Sequence, residues 1–281
     1  MKAIALDMDG TVLNDRGELT ERLAEVLTKI DQKGIKVIFA TGRTQTEILK
    51  VTPQQLPLSG YAAASGMSVF IDDKLVQENV FDKDVVMDIL SDARAQEIYY
   101  ETFTAVNPAK TLKQDKDYSL RDFALSTPAT LKPYEEIYME ETIHSTSQWV
   151  DTINYNNVIK VFFISKDLNK IDHWHDYLEK NKERLGYELY KTSRHNCEIM
   201  LAGKDKATGL EIILNHYDID FQDVHAFGDS MNDLAMFNVC GKSTAMKDSP
   251  REILDAADDV TRFTNDEYGL ADYLETHYLT S

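Results

Sequence analysis

The stretch IALDMDGTVL, residues 4–13, closes an apolar run with two acids one residue apart, Asp7 and Asp9. Residues 3–6 read as a short buried strand, and in an extended chain positions i and i+2 face the same way. Two carboxylates about 4 Å apart repel by roughly 4 kcal/mol at an effective dielectric near 20. A strand ending on such a pair needs something to offset that repulsion, and a cation is the obvious partner. The plainer alternative is a solvated strand end that turns at Gly10.

The segments that follow decide what kind of strand this is. LTERLAEVLTKIDQKG, residues 19–34, keeps Leu23, Val26, Leu27 and Ile30 at helical spacing, with Gly34 where a helix stop belongs. IKVIFA, 35–40, is apolar apart from Lys36 and reads as the next strand. Strand, helix, strand is a βαβ unit, which implies a parallel sheet with a right-handed crossover. TEILKV begins another helix, YAAA at 61–64 a third strand, and SVFIDDKLVQENV at 68–80 a hairpin turning at Asp72-Asp73-Lys74.

Residues 83–200 change character. Strand candidates EIYYETFTAV and VIKVFFIS alternate with helical DVVMDILSDARA and KIDHWHDYLEKNKE, and aromatic residues are dense. This segment is expected to be a separate α+β domain inserted into the chain. Beyond it the βα alternation resumes. KATGLEIILNHY reads as a helix, DVHAFG at 223–228 as a strand and MNDLAMF as a helix, while SPREILDAA offers Ser249 as N-cap and Pro250 as first helical residue. Residues 1–82 and 201–281 are therefore expected to complete one α/β domain with a doubly wound, Rossmann-like parallel sheet.

On this map the polar clusters fall at strand ends: Asp7 and Asp9 after 3–6, Thr41-Gly42-Arg43 after 35–40, Gly228-Asp229-Ser230 after 224–227. Ligands of open parallel sheets bind at the carboxyl ends of strands. The three clusters should share one crevice, with Asp233 nearby. Carboxylates without His or Cys among them suit a hard, oxygen-seeking ion, and Mg²⁺ takes a few carboxylates plus a phosphate. One ionised carboxylate can attack phosphorus. A second acid can protonate the leaving oxygen and then activate water, while a Thr hydroxyl and a Lys hold phosphoryl oxygens.

These residues resemble the motifs of the haloacid dehalogenase superfamily. DMDGTVL resembles its D-x-D-G-T motif, ATGR at 40–43 its second, Lys206 in GKDKATGLEII its lysine motif, and GDSMNDLAMF at 228–237 its G-D-x-x-N-D motif. The downstream AMKDSPREILDAADDVTRFTNDEYGLADYL is similar to the tail of the Cof-type phosphatases. The resemblance implies a nucleophile at Asp7 and an acid/base at Asp9. It implies phosphate contacts from Thr41, Lys206, Asn232 and the backbone near Met8 and Gly42. It implies Mg²⁺ held by Asp7, Asp229 and the Asp9 carbonyl, with Asp233 in support, and an insert that caps the site and selects substrate. Lys204 is a rival for the lysine role, and Asp233 also suits a purely capping role. Three departures stand out: Ser65-Gly66 where Asn-Gly is usual, Ala207 after the motif lysine, and Asp248-Ser249 where Asn-Ala is frequent.

The expected activity is Mg²⁺-dependent hydrolysis of a small phosphorylated metabolite, a sugar phosphate or a nucleotide-like flavin-precursor phosphate, through an aspartyl-phosphate. A sugar phosphomutase and a non-catalytic phospho-ligand binding protein are the alternatives. Bulk properties agree. With 48 Asp+Glu against 30 Lys+Arg, the formal charge of −18 disfavours nucleic acid and anionic membranes. Cys197 and Cys240 are too few for a disulfide framework or zinc cluster and point to a reduced, cytoplasmic protein. The start, MKAIALDMDG, is unlike a signal peptide, and no run of about 18 apolar residues suggests a membrane span.

Overall fold

The computed structural model describes residues 1–145, 148–191 and 193–280. Its opening strand β1 (Ala3–Leu6) is wholly buried. Helix α1 (Glu21–Gln32) is capped by Thr20, whose hydroxyl accepts from the Leu23 amide, and it buries Leu23, Val26, Leu27 and Ile30. Each such side chain contributes about 1.5–3 kcal/mol on burial. Then come β2 (Lys36–Ala40), α2 (Gln45–Val51) and β3 (Gly60–Ala63). The hairpin of β4 (Ser68–Ile71) and β5 (Lys74–Glu78) turns on Asp72 and Asp73 with φ of +48° and +60°. Two positive φ values in a two-residue loop match the twist of the strands they join.

The chain divides after Glu78, so that Asn79–Gly203 is one compact unit and the two flanking segments form the other. The sequence placed the boundaries at 82/83 and 200/201. Residues just after Glu78 go with the insert for a local reason. The Phe81 amide donates to the Val158 carbonyl at 2.9 Å, and Asp82 caps α3 (Lys83–Ala95). The insert continues through β6 (Tyr99–Phe103), β7 (Thr111–Leu112), α4 (Lys116–Phe123), α5 (Pro133–His144), β8 (Trp149–Val150), β9 (Lys160–Ile164), α6 (Leu168–Leu185), β10 (Tyr187–Tyr190) and β11 (Asn196–Leu201). Strands β10, β11, β9 and β6 form an antiparallel sheet in that order. One face packs Tyr100, Val161, Phe163, Cys197 and Ile199 against Ile89, Trp174 and Leu178 of α3 and α6. On α6 Trp174 is buried, whereas His173 Nδ1 bonds within its own helix, to the Asn169 carbonyl at 2.6 Å.

The other unit resumes with α7 (Lys206–His216), β12 (Val224–Gly228), α8 (Leu234–Phe237), β13 (Lys242–Ala245), α9 (Arg251–Ala256), β14 (Asp259–Val260) and α10 (Gly269–Leu274). The helix expected at MNDLAMF begins as a 3₁₀ turn over Met231–Asp233. The helix after Ser249 starts one residue late, with Pro250 as N-cap at ψ 152°, because its extended backbone cannot yet be helical. The eight-stranded sheet runs β14-β13-β12-β1-β2-β3-β4-β5, parallel through β3 and antiparallel beyond. Its fold class is the α/β, doubly wound one. Ala3, Ala5, Ile38, Ala40 and Ala62 face Leu210, Ile213 and Met236 on one side, while α1 packs on β2 and α10. The chain leaves β1 toward β2 and later returns on its other edge as β12. The order therefore reverses between β1 and β12, where a crevice opens at the carboxyl ends of the strands.

Candidate active site

Asp7 and Asp229 each follow one of those two strands. Their carboxylate oxygens and one of Asp233 lie within 4.8 Å of each other. The site is assembled by small residues. Gly10 has φ +79°, and a Cβ there would stand 2.5 Å from Oδ2 of Asp229. A Cβ on Gly228 would stand 2.3 Å from Cγ of Asp233. Glycine is needed at both places so that carboxylates can approach backbone this closely.

Lys206 is the first residue of α7, whose start is fixed by a reciprocal cap. The Thr208 amide donates to Asp205 Oδ1 at 2.8 Å, and the Asp205 amide donates to Thr208 Oγ1 at 2.9 Å. Gly209 lets this helix press on β3, since a Cβ there would lie 2.7 Å from Ala62 Cβ. So placed, the fully buried Lys206 Nζ donates to Asp7 Oδ1 at 2.5 Å and to Asp233 Oδ1 at 2.6 Å. Lys204, the rival lysine, is only half-buried. The other oxygen of Asp233 accepts the amides of Asp229 and Ser230, each at 3.0 Å. Asp233 thus ties the lysine to the loop that carries Asp229, whose Oδ1 accepts from Thr11 Oγ1 at 3.3 Å.

The acids of this cluster repel one another. One ammonium cannot neutralise three clustered carboxylates. Burial first, and then the repulsion of Asp233 and Asp229, holds the Asp7 carboxyl well above the usual range despite the nearby Lys206. Burial and Asp233 push Asp229 up to about 6. Burial opposes the charge on Lys206, yet Asp233 and Asp7 together hold it above its ordinary value. All three acids present oxygen donors only, the set that hard divalent cations prefer.

Thr41 is buried at the end of β2, and its Oγ1 accepts from the Arg43 amide at 3.1 Å. Gly42 follows it in the same loop, and Asn232 accepts from Ser230 Oγ at 2.8 Å. Met8 is buried, and its carbonyl accepts from the amides of Thr11, Val12 and Leu13. One sequence expectation fails. The carboxylates of Asp7 and Asp9 do not share one face: Asp7 is 4% exposed, while the Asp9 side chain is 61% exposed and paired with Arg43. The strand ends at Leu6 and the chain turns at once, so the two-residue repeat no longer applies. The Asp9 carboxylate accordingly stands apart from the acidic cluster. Arg43 was visible in the ATGR motif but had no assigned partner. Thr11 and Ser230 lie within the D-x-D-G-T and G-D-x-x-N-D stretches, but the sequence gave neither a role.

The sheet order, the crevice and these acids form an oxygen-lined site at the strand ends of an α/β domain, where ligands of such sheets bind. A family model for haloacid dehalogenase-like hydrolases matches residues 4–274, and the chain belongs to that family, within its Cof-type phosphatases. Among its relatives, Phosphatase YwpJ of Bacillus subtilis (strain 168) is 28% identical over 96% of this chain and 98% of its own. The 5-amino-6-(5-phospho-D-ribitylamino)uracil phosphatase YwtE of the same organism is 25% identical, covering 98% and 97%. The crystal structure of a haloacid dehalogenase-like hydrolase from Bacteroides thetaiotaomicron matches in fold, with a TM-score of 0.78 at 23% identity over 99% of both chains. The protein is a phosphoric monoester hydrolase of small phosphorylated metabolites. No helix among the described residues is long and apolar enough to cross a membrane.

Proposed function

We propose that the enzyme hydrolyses its substrate through an aspartyl-phosphate on Asp7, with Asp9 as acid/base and Mg²⁺ as the metal. The observation that carries this reading is the contact between Asp7 and the buried Lys206 beside Asp229 and Asp233. A buried carboxylate at the mouth of a parallel sheet, braced by an ammonium, is placed to attack rather than merely to end a strand.

Asp7 and Asp229 would hold the metal, with Asp233 in support because its oxygens already serve Lys206 and the Asp229 loop. When bound, the ion supplies positive charge that favours ionised Asp7 and screens it from the anionic phosphate. An ammonium has three N–H donors, so the two carboxylate bonds of Lys206 leave one for a phosphoryl oxygen. Thr41 offers a second contact, with Asn232 and the amides near Met8 and Gly42 completing the phosphate site. In the first half-reaction Asp7 Oδ bonds to phosphorus as the bond to the leaving oxygen breaks, and Asp9 gives that oxygen a proton. In the second, Asp9 takes a proton from the water that attacks phosphorus, and Asp7 departs as carboxylate.

For the substrate, sugar phosphates and ribityl-type flavin-precursor phosphates are the first candidates, the latter supported by the name of the relative YwtE. We place the enzyme in a reducing cytoplasm. Two thiol cysteines support that, Cys197 buried and Cys240 half-buried, with burial pushing both thiols up. The test is Asp7→Asn, assayed with p-nitrophenyl phosphate and a phosphorylated-metabolite panel, with and without EDTA. Loss of turnover with unchanged circular dichroism supports the reading. Retained turnover sinks the nucleophile, and EDTA-resistant activity sinks the metal.

A further inference from the structure

We propose that Arg43 is the positioning residue for Asp9: it holds this acid out of the metal-type cluster and aims it at the leaving group. The inference rests on the acid/base reading of Asp9 given above. Arg43 grips Asp9 with both prongs of its guanidinium, Nε to Oδ2 at 2.9 Å and Nη2 to Oδ1 at 2.7 Å. A two-point fork fixes the plane of a carboxylate as well as its distance.

The fork is itself anchored. The Arg43 amide donates to Thr41 Oγ1 at 3.1 Å, and its carbonyl accepts from the Ala64 amide at 2.7 Å. The next residue, Ser65, donates its amide to the Thr41 carbonyl at 2.8 Å. Ala64 and Ser65 have φ of +46° and +51°, left-handed values that cost non-glycine residues roughly 1–2 kcal/mol each. Strain of this kind persists only where surrounding structure enforces it. Here it presses two backbone donors onto the loop from Thr41 to Arg43, which thereby sets both the phosphate-facing hydroxyl and the guanidinium.

The consequence is a division of labour among the acids. Asp9 lies two residues from Asp7, yet its carboxylate is not one of the three that cluster. Released from Arg43, an exposed side chain on that turn could rotate toward the same cation and be lost to proton transfer. Held by Arg43, it stays apart. When protonated it keeps one guanidinium contact through its carbonyl oxygen and turns its O–H to the leaving oxygen. The proton passes to that oxygen, and the carboxylate left behind recovers one from the attacking water. Lysine could supply the charge but not the fork.

The test compares kcat/KM, which reports events through formation of the aspartyl-phosphate, for two substrates. Ribose 5-phosphate has a poor alkoxide leaving group that needs the proton, and p-nitrophenyl phosphate does not. Arg43→Lys and Arg43→Met should each lose about 100-fold on ribose 5-phosphate, the scale of a 1 Å misplacement of a catalytic group. Losses on p-nitrophenyl phosphate should be about tenfold smaller or less, which also shows that the variants fold. In an Asp9→Asn background, Arg43→Lys should add no further loss. Equal losses on both substrates, or losses that multiply in the double variant, would mean that Arg43 acts on the phosphoryl group and would overturn the proposal. Full ribose 5-phosphate activity in Arg43→Lys would overturn it as well. Turnover retained by Asp9→Asn alone would instead remove the acid/base reading beneath it, a result distinguishable from the others.

Discussion

Replacing Gly10 by alanine tests whether the turn after β1 was shaped to admit the Asp229 carboxylate. At φ +79° the backbone itself charges an L-residue about 1–2 kcal/mol. The larger effect is local. The new Cβ would lie 2.5 Å from Asp229 Oδ2 and 2.7 Å from its Cγ. Carbon and oxygen atoms in contact settle near 3.5 Å, so the carboxylate must retreat by about 1 Å. That retreat strains the 3.3 Å bond from Thr11 and withdraws one donor from the cluster around Asp7. A misplacement of this size costs on the order of 100-fold in rate. Gly10→Ala should therefore lose about 100-fold in kcat while losing only about 1–2 kcal/mol in urea-melt stability. It should also need more Mg²⁺ for half-maximal activity. A variant within threefold of wild-type turnover at the same Mg²⁺ requirement would refute the claim that this glycine makes room for a functional Asp229.

Lys206→Met should abolish turnover and destabilise the protein by roughly 3–5 kcal/mol at pH 8, because Asp7 and Asp233 lose their shared ammonium while buried. The loss should shrink near pH 5, because burial holds the Asp7 carboxyl well above the usual range and lets it take a proton there, and an unchanged urea midpoint at both pH values would contradict this. His225 supplies a pH-dependent stability. Burial, then Lys242, lowers its pKa from 6.5 to about 3, and its ring bonds Tyr278 Oη and Thr244 Oγ1 at 2.7 Å each. The unfolded chain then binds the extra proton between about pH 6.5 and 3, so stability is full above that window and falls as pH drops into it. Between pH 6.5 and 5 the fall should be about 1.6 kcal/mol, the slope rising from half to nearly all of about 1.4 kcal/mol per unit. His225→Asn should remove that part of the slope in urea melts, and an unaltered slope would assign it to other groups.

Much of the α/β unit was legible because its signals are local. Ala3–Leu6, Lys36–Ala40 and Val224–Gly228 are short, mostly apolar runs that are almost wholly buried, and α1 declares itself by Leu23, Val26, Leu27 and Ile30. The polar residues at the strand ends then follow from topology. The insert was harder, because its acids are inside. All five residues of β6 are buried, Glu101 included. Tyr99, Tyr138 and Gln148 hydrogen-bond that carboxylate, while Phe123, Met139 and Trp149 cover the face it shares with Tyr99. Alternation of polar and apolar residues suggests an exposed face, and only the distant segments that carry those partners reverse that inference. Asp115 and Asp122 are hidden likewise, bonded to Tyr100 and Ser165. The environment of Asp9 was illegible for a related reason. A spacing of two describes a strand, and the chain stops being one at Asp7.

The most direct test of the account is to catch the covalent intermediate. The enzyme is mixed with Mg²⁺ and excess substrate, quenched in acid within one turnover, digested, and its peptides weighed by mass spectrometry. A phosphoryl group on the peptide containing Asp7, present in wild type, absent in Asp7→Asn and removed by hydroxylamine, is the predicted result. Substrate turnover with no phosphoryl group on that peptide, or with one on Asp9, Asp229 or Asp233, would contradict it.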